Sequence, residues 1–209
     1  KRGVELPDAL YHHAYDLWKV VKQFIFPDGR LIRIGGDTRV RYCYCQDYAI
    51  PMWLMMAQHH NDTDCVAFEA GWLKEVQKEI DYNNDGSYLS KRCQELEPVS
   101  PVYYTRLESD RAASISMGAY WRREFGIPDV IDKKPNIEGA SWCDDYHGAS
   151  FQRDENRVVS WTWHAAEKPQ GLCLALDKSD LAEWKENLAG SIRGLGGVNF
   201  QDVVSSKQV

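Results

Sequence analysis

A chain of 209 residues with 31 acidic against 25 basic side chains carries a formal net charge of −6 and no lysine/arginine run; phosphate binding demands a basic surface, so nucleic acid is not an expected partner. With 44% apolar residues the composition is that of a globular protein, and no apolar run approaches the roughly 18 residues of a membrane span. Six cysteines without a CxxC pair fit neither a disulfide-stapled miniprotein nor a zinc ribbon, and buried free thiols are the expectation.

In chain order, Leu10, Ala14, Leu17, Trp18, Val21, Phe24 and Ile25 fall at helical spacing from Asp8 onward, with Pro7 suited to a first turn. That helix stops at Phe26-Pro27-Asp28-Gly29, and a polar stretch bearing Arg30, Arg33, Gly35, Gly36, Asp37, Arg39 and Arg41 follows. A second helix is predicted from Tyr44 to Gln58, with Ile50, Trp53, Leu54 and Ala57 as its stripe. A third begins after Asn61-Asp62-Thr63-Asp64, a cluster of helix-capping residues, and carries Phe68, Trp72, Val76 and Ile80 to a stop at Asn83-Asn84-Asp85-Gly86. The fourth is capped by Ser109 and runs through Ala113, Met117, Tyr120 and Trp121 to Gly126, with Pro128 just beyond. The order helix, Asp-Gly turn, polar loop, helix thus occurs twice, as in a repeated αα-hairpin, and two hairpins cannot close a core alone.

The period then changes. Past the Pro128 to Pro135 stretch, Val158, Ser160, Thr162 and His164 alternate with Val159, Trp161, Trp163 and Ala165, a strand signature. Gly148 to Arg153 is its hairpin partner across Asp154-Glu155-Asn156; Leu172, Leu174 and Leu176 give a further strand, and a short helix is expected from Ser179. The fold class is therefore α+β: a helical-hairpin part at 1–127, a linker at 128–146 and a β-rich part at 147–209. The first residue is Lys1 and the tail is polar, so the ends read as cut from a longer chain, the remainder of the same polypeptide being an expected partner.

Chemistry concentrates in the loop from Asp28 to Asp47. It gathers Arg33, Arg39 and Arg41 with Asp37, Asp47, Tyr42 and Tyr44 at one loop-to-helix junction. Guanidinium forks bind carboxylates bidentately, which suits an acidic sugar, with Arg33, Asp37, Arg39 and Arg41 as the substrate-binding set. A phenol such as Tyr42 or Tyr44 serves as a base only where neighbouring cations lower its pKa. The plain alternative is that the arginines pair internally with Asp37 and Asp47 and the tyrosines fill core. His147, in Tyr146-His147-Gly148-Ala149, is a third catalytic candidate, able to neutralise a carboxylate or relay a proton, against the alternative of a hydrogen-bonded structural histidine.

Metal ligation is not expected. His12-His13 and His59-His60 are read as lying on helices, where adjacent side chains diverge. Asp81-Tyr82-Asn83-Asn84-Asp85-Gly86 matches the first half of a calcium loop, but Arg92 stands where the bidentate glutamate belongs. Eight tryptophans and eleven tyrosines suit either sugar stacking or a large core.

The hairpins with Asp-Gly turns, the FPDGRLIRIGGD loop and the switch to a tryptophan-rich β segment resemble the heparinase II/III-like and related polysaccharide lyases. The resemblance implies an incomplete (α/α) toroid followed by the start of an antiparallel β-sandwich, and β-elimination on uronic-acid polymers by a tyrosine and histidines. Tyr42, Tyr44 and His147 match those roles by type and place. The expected partner is then an acidic polysaccharide or oligosaccharide, with no cofactor, no nucleic acid and no membrane, in a secreted or periplasmic protein. Two rivals stand beside this reading: a glycoside hydrolase using paired carboxylates from Asp28, Asp37, Asp47 and Asp85, and a non-catalytic carbohydrate-binding or scaffold protein.

Overall fold

A computed structural model describes residues 7–31, 49–94, 96–128, 134–164 and 170–175. Its architecture is mixed α+β, with four α-helices and one four-stranded antiparallel sheet among the described residues. The helices are α1 (Ala14–Lys22), α2 (Ala49–His60), α3 (Asp64–Asn83) and α4 (Pro101–Phe125). The strands β1 (Ala140–Asp144), β2 (Ala149–Arg153), β3 (Arg157–Thr162) and β4 (Gln170–Ala175) pair in sequence order. The predicted start of the second helix at Tyr44, before Ala49, and the helix expected from Ser179 lie outside the described residues.

The first element departs from its predicted form. Asp8–Leu10 makes a 3-10 turn, and His13 adopts a left-handed φ of 58°, so α1 opens only at Ala14. His12 and His13 therefore precede the helix rather than sit on it. Trp18 is buried, whereas Leu10 and Leu17 are exposed: the break takes Leu10 off the helical stripe, and Leu17, next to Trp18 in α1, falls on the outer face of the helix.

A three-residue connection turns α2 back on α3, and Asp62 organises it. Its Oδ1 accepts the Asp64 amide at 3.2 Å while its Oδ2 accepts the Trp18 indole N–H at 2.8 Å and the Lys22 ammonium at 3.0 Å. Thr63 occupies the cap position but its side chain does not cap the helix, so Asp62 satisfies an orphan amide in its place. Helix α4 begins eight residues before the expected Ser109, because Ser100-Pro101 supplies the start: proline at the first helical position loses no hydrogen bond. Ser109 instead donates to the Thr105 carbonyl inside the helix.

Helices α3 and α4 run antiparallel, since Glu69 contacts Arg122 while Glu79 contacts Arg111. Gly118 lets α4 close on α2: a Cβ there would stand 2.8 Å from Ile50 Cγ2. The core between the helices is aromatic, built on Trp18, Trp53, Phe68 and Trp72 with Ile25, Ile50, Leu54 and Leu89.

Within the sheet, Ala149 pairs with Thr162 and Arg153 with Val158, so β2 and β3 form the expected hairpin across Asp154-Glu155-Asn156. Asp154 accepts the Asn156 and Arg157 amides in that turn. Strand β1 occupies part of 128–146, the stretch read as linker; its sequence Ala-Ser-Trp-Cys-Asp is too short and polar to announce a strand. The sheet buries Ala149, Phe151, Arg153, Val158, Ser160 and Thr162. Phe151 and Val158 meet Phe26, and Phe24 and Trp142 pack beside them, so the exit of α1 joins helices to sheet. Trp142 donates to Gln23 Oε1 at 2.9 Å and Arg153 to the Gln23 carbonyl.

Candidate functional site

The sequence-predicted residues divide sharply. Arg33, Asp37, Arg39, Arg41, Tyr42 and Tyr44 lie outside the described residues, as do Asp47, Cys43 and Cys45; His147 is described. The loop that carries the former is anchored at its described start. Gly29, at φ 83°, sits so close to α3 that a Cβ would meet the Phe68 carbonyl oxygen at 2.1 Å, and a Cβ on Gly71 would meet the Asp28 backbone at 2.8 Å. Phe26 N–H to Arg30 O at 2.8 Å and an Ile25–Leu31 bridge close the turn. Arg30, read as one of the loop's arginines, is buried, donates from Nε to Asp28 Oδ2 at 2.8 Å and lies over the Phe26 ring. Arg30 and Asp28 thus hold the turn together.

The same fact weakens one carboxylate pairing proposed for hydrolysis. Asp28 packs on Gly71, while Asp85 follows the end of α3 at Asn83, roughly 18 Å further along the helix axis at 1.5 Å per residue. Paired glycosidase carboxylates stand about 5 to 9.5 Å apart.

In the sheet the β1–β2 turn, residues 145–148, forms a corner at which residues 145–147 are exposed. Gly148 adopts φ 67°, and a Cβ on it would stand 2.5 Å from His164 Cβ, so the turn lies directly against the end of β3. The Trp163 and His164 amides both bond to the Gly148 carbonyl, at 2.8 and 3.2 Å. Tyr146, His147, Trp163 and His164 are thereby gathered at one corner of the sheet.

His147 is the best-defined of them. Asp144 Oδ1 accepts its backbone N–H at 3.0 Å and Asp144 Oδ2 lies 2.7 Å from its Nδ1, while the side chain remains 69% exposed. The backbone N–H and then the imidazole hold the Asp144 carboxyl below the usual carboxylate range. With Nδ1 held by a carboxylate, Nε2 is the nitrogen left to face solvent, the arrangement in which an acid residue fixes an imidazole's orientation and tautomer. Tyr146 stands edge-on to the ring at 4.8 Å and is 89% exposed. The alternative role as a hydrogen-bonded structural histidine is partly met by the same Asp144 contact. What the sequence reading missed is Asp144 itself, three residues before His147 and legible in principle as an Asx-type turn.

The described helices also hold charge that sequence periodicity concealed. Glu79 Oε2 accepts Arg111 Nη1 at 3.0 Å and its Oε1 accepts Arg92 Nε; Arg111 is fully buried under Trp72, and Glu69 pairs with Arg122. Glu108 accepts the Tyr88 and Leu89 amides and the Tyr104 hydroxyl, which fixes the loop after the second Asp-Gly turn. These are internal contacts joining elements. Asp81, first position of the half calcium loop, bonds Gln77 on helix α3, and Asn83 binds the Ser87 carbonyl, so the segment is a helix end. Among the described residues no group of three or more His, Cys, Asp or Glu is placed to hold a metal ion. None of the described helices is long and apolar enough to cross a membrane.

Comparison with protein-family models, with curated proteins and with solved structures gives no match for this chain.

Proposed function

We propose that this chain belongs to an enzyme that cleaves an acidic polysaccharide by β-elimination, its helical hairpins forming part of an (α/α) toroid and its sheet part of a β-sandwich, in a secreted or periplasmic protein. The observation that supports it is the Asp144–His147 pair: a carboxylate-oriented imidazole, open to solvent, beside an exposed tyrosine ring. Elimination requires three things at one sugar. The uronate carboxylate must be neutralised, the proton alpha to it removed, and the leaving oxygen protonated as the carbon–carbon double bond forms. Arg33 and Arg39 clamp the carboxylate in this reading, with Asp37 and Arg41 completing the binding set. Tyr42 or Tyr44 takes the proton, and His147 Nε2 stabilises the acidic group or returns a proton to the leaving oxygen.

The test is product chemistry. The full-length protein given uronate-containing polymers is expected to release fragments with an unsaturated, ultraviolet-absorbing end. His147→Ala is expected to lower turnover about a hundredfold, the low end of general acid–base contributions. Asp144→Asn should lower it less and shift the pH profile, since the imidazole remains but loses its orienting charge. Arg33→Ala or Arg39→Ala should cost roughly 2 kcal/mol of transition-state binding, with lysine rescuing little. New reducing ends without ultraviolet absorbance would replace elimination by hydrolysis. Binding without cleavage would favour the carbohydrate-binding reading, to which the internal pairing of Arg30 with Asp28 lends support.

A further inference from the structure

The sheet has a second face that the elimination reading does not use. Strand residues alternate sides, so the face opposite Phe151 and Val158 presents Ser141 and Cys143 from β1, Ser150 and Gln152 from β2, and Val159 and Trp161 from β3. Ser141, Cys143 and Gln152 are exposed and Trp161 is half-buried. A cleft of about 220 Å³ runs over this face, lined by Ser141, Cys143, Ser150, Gln152 and Val159 among others.

Three features of this face point to a ligand. Trp161 stands beside the cleft, outside its lining, and is flanked in register by the small residues Ser150 on β2 and Gly171 on β4. The Ser150 hydroxyl is buried, 3% exposed, and has no hydrogen-bond partner among the described residues although it lines the cleft. A buried hydroxyl without a partner costs about 1–3 kcal/mol, and a ligand hydroxyl would relieve that cost. The lining is also uncharged: Arg157, the one ion of the same phase in β3, stands at the rim bonded to Asp154.

An aromatic side chain next to an uncharged cleft lined by hydroxyl and amide groups is complementary to a neutral sugar ring, whose apolar face stacks while its hydroxyls exchange hydrogen bonds. The geometry points to the outward face of this sheet as a subsite for uncharged sugar residues, with Trp161 as the stacking platform, Ser150 and Gln152 as hydrogen-bonding partners, and the open, shallow cleft accepting a ring laid flat. Just beyond β3 the Trp163 amide bonds the Gly148 carbonyl, so the chain passes from Trp161 directly to the His147 corner. This rests on the carbohydrate part of the proposed function and not on its elimination chemistry.

Calorimetry and tryptophan fluorescence on the full-length protein test it, with cellohexaose, xylohexaose and mannohexaose as neutral probes and tetragalacturonate as the acidic one. At least one neutral probe is expected to bind and to shield Trp161 from acrylamide quenching. Trp161→Ala should weaken that binding about tenfold or more, Trp161→Phe less, and Gln152→Ala, which removes an exposed side chain and no packing, severalfold. Tetragalacturonate affinity should be unaltered by all three. No binding by any neutral probe, or the same affinity in Trp161→Ala and Gln152→Ala, overturns the proposal; so does a Trp161 already shielded in the free protein, which would mean that another layer of the fold covers this face. Absence of an unsaturated product leaves these binding results standing, and their failure leaves the elimination assay intact.

Discussion

Glu79 shows what a single residue contributes when the low-dielectric interior gives it no alternative partner. Its carboxylate lies between Arg92 and the fully buried Arg111, tying α3 to the loop after it and to α4. Such a group adds little net stability relative to a well-packed apolar replacement, yet removing one member of the set is costly because a buried cation is left behind. Glu79→Ala is therefore expected to destabilise the protein by about 3–5 kcal/mol in urea unfolding. Glu75→Ala, which loses a solvent-accessible pair with Lys78 three residues away, should cost at most about 0.5 kcal/mol. Equal losses in the two variants would show that the buried set is solvated in solution. Sequence pattern could not reveal this network, because its members are distributed over three elements and each reads singly as a surface charge on an amphipathic helix.

At the scale of elements, the two Asp-Gly turns share a local form and differ in what surrounds them. Both glycines have φ 83°, and in each turn the aspartate Oδ1 accepts the amide two residues on, Arg30 at 3.2 Å and Ser87 at 2.9 Å. That likeness was legible in the sequence because turn chemistry is local: the aspartate bonds its own backbone and glycine accepts the left-handed conformation. Their surroundings were not legible. A Cβ on Gly86 would have nothing within 4 Å, whereas Gly29 presses on the Phe68 carbonyl. Gly86→Ala should thus cost only the left-handed backbone penalty, about 1–2 kcal/mol. Gly29→Ala pays that and also displaces the turn from α3, and it should lower the unfolding midpoint distinctly further; equal midpoints would remove the close approach from the account. The same division between local and distant explains the helices. The β2–β3 hairpin and the α3 boundaries follow from caps, turns and period, while α4 opens at Pro101 because Ser100-Pro101 offers a start signal upstream of Ser109, and β1 is hidden because its burial depends on Phe151 and Gln23 rather than on its own pattern. In the candidate site, His147 was visible by type, but its orientation came from a turn that only the fold closes.

Whether helices and sheet behave as one body is decided at the exit of α1. Phe24 and Phe151 meet with ring centroids 4.5 Å apart, Phe151 stacks on Trp142 at 5.5 Å, and Phe26 is buried against both Phe151 and Val158. Arg153 adds a bond from the sheet to the Gln23 carbonyl, and burial pulls its guanidinium down to about 10, so this cation is held at the junction against a desolvation cost. Residues so far apart in sequence bring an entropy cost of closure that local turns do not, and the aromatic contacts across the junction offset it. Phe151→Ala, which empties a fully buried site, should cost about 3–5 kcal/mol, and Phe24→Ala less because Phe24 is only partly buried. If the helical and β parts unfold together, the double variant will be less destabilised than the sum of the singles by about 0.5–1.5 kcal/mol, the range for a direct aromatic pair. A coupling energy of zero, with the tryptophan and far-ultraviolet signals of the sheet and helices melting at different urea concentrations, would mean that the two parts fold independently and that the junction is a contact without cooperative consequence. A coupling within the aromatic range and coincident transitions would make the sheet's position relative to the helices a property of the native state, and so fix the distance that any saccharide must span between the His147 corner and the helical hairpins.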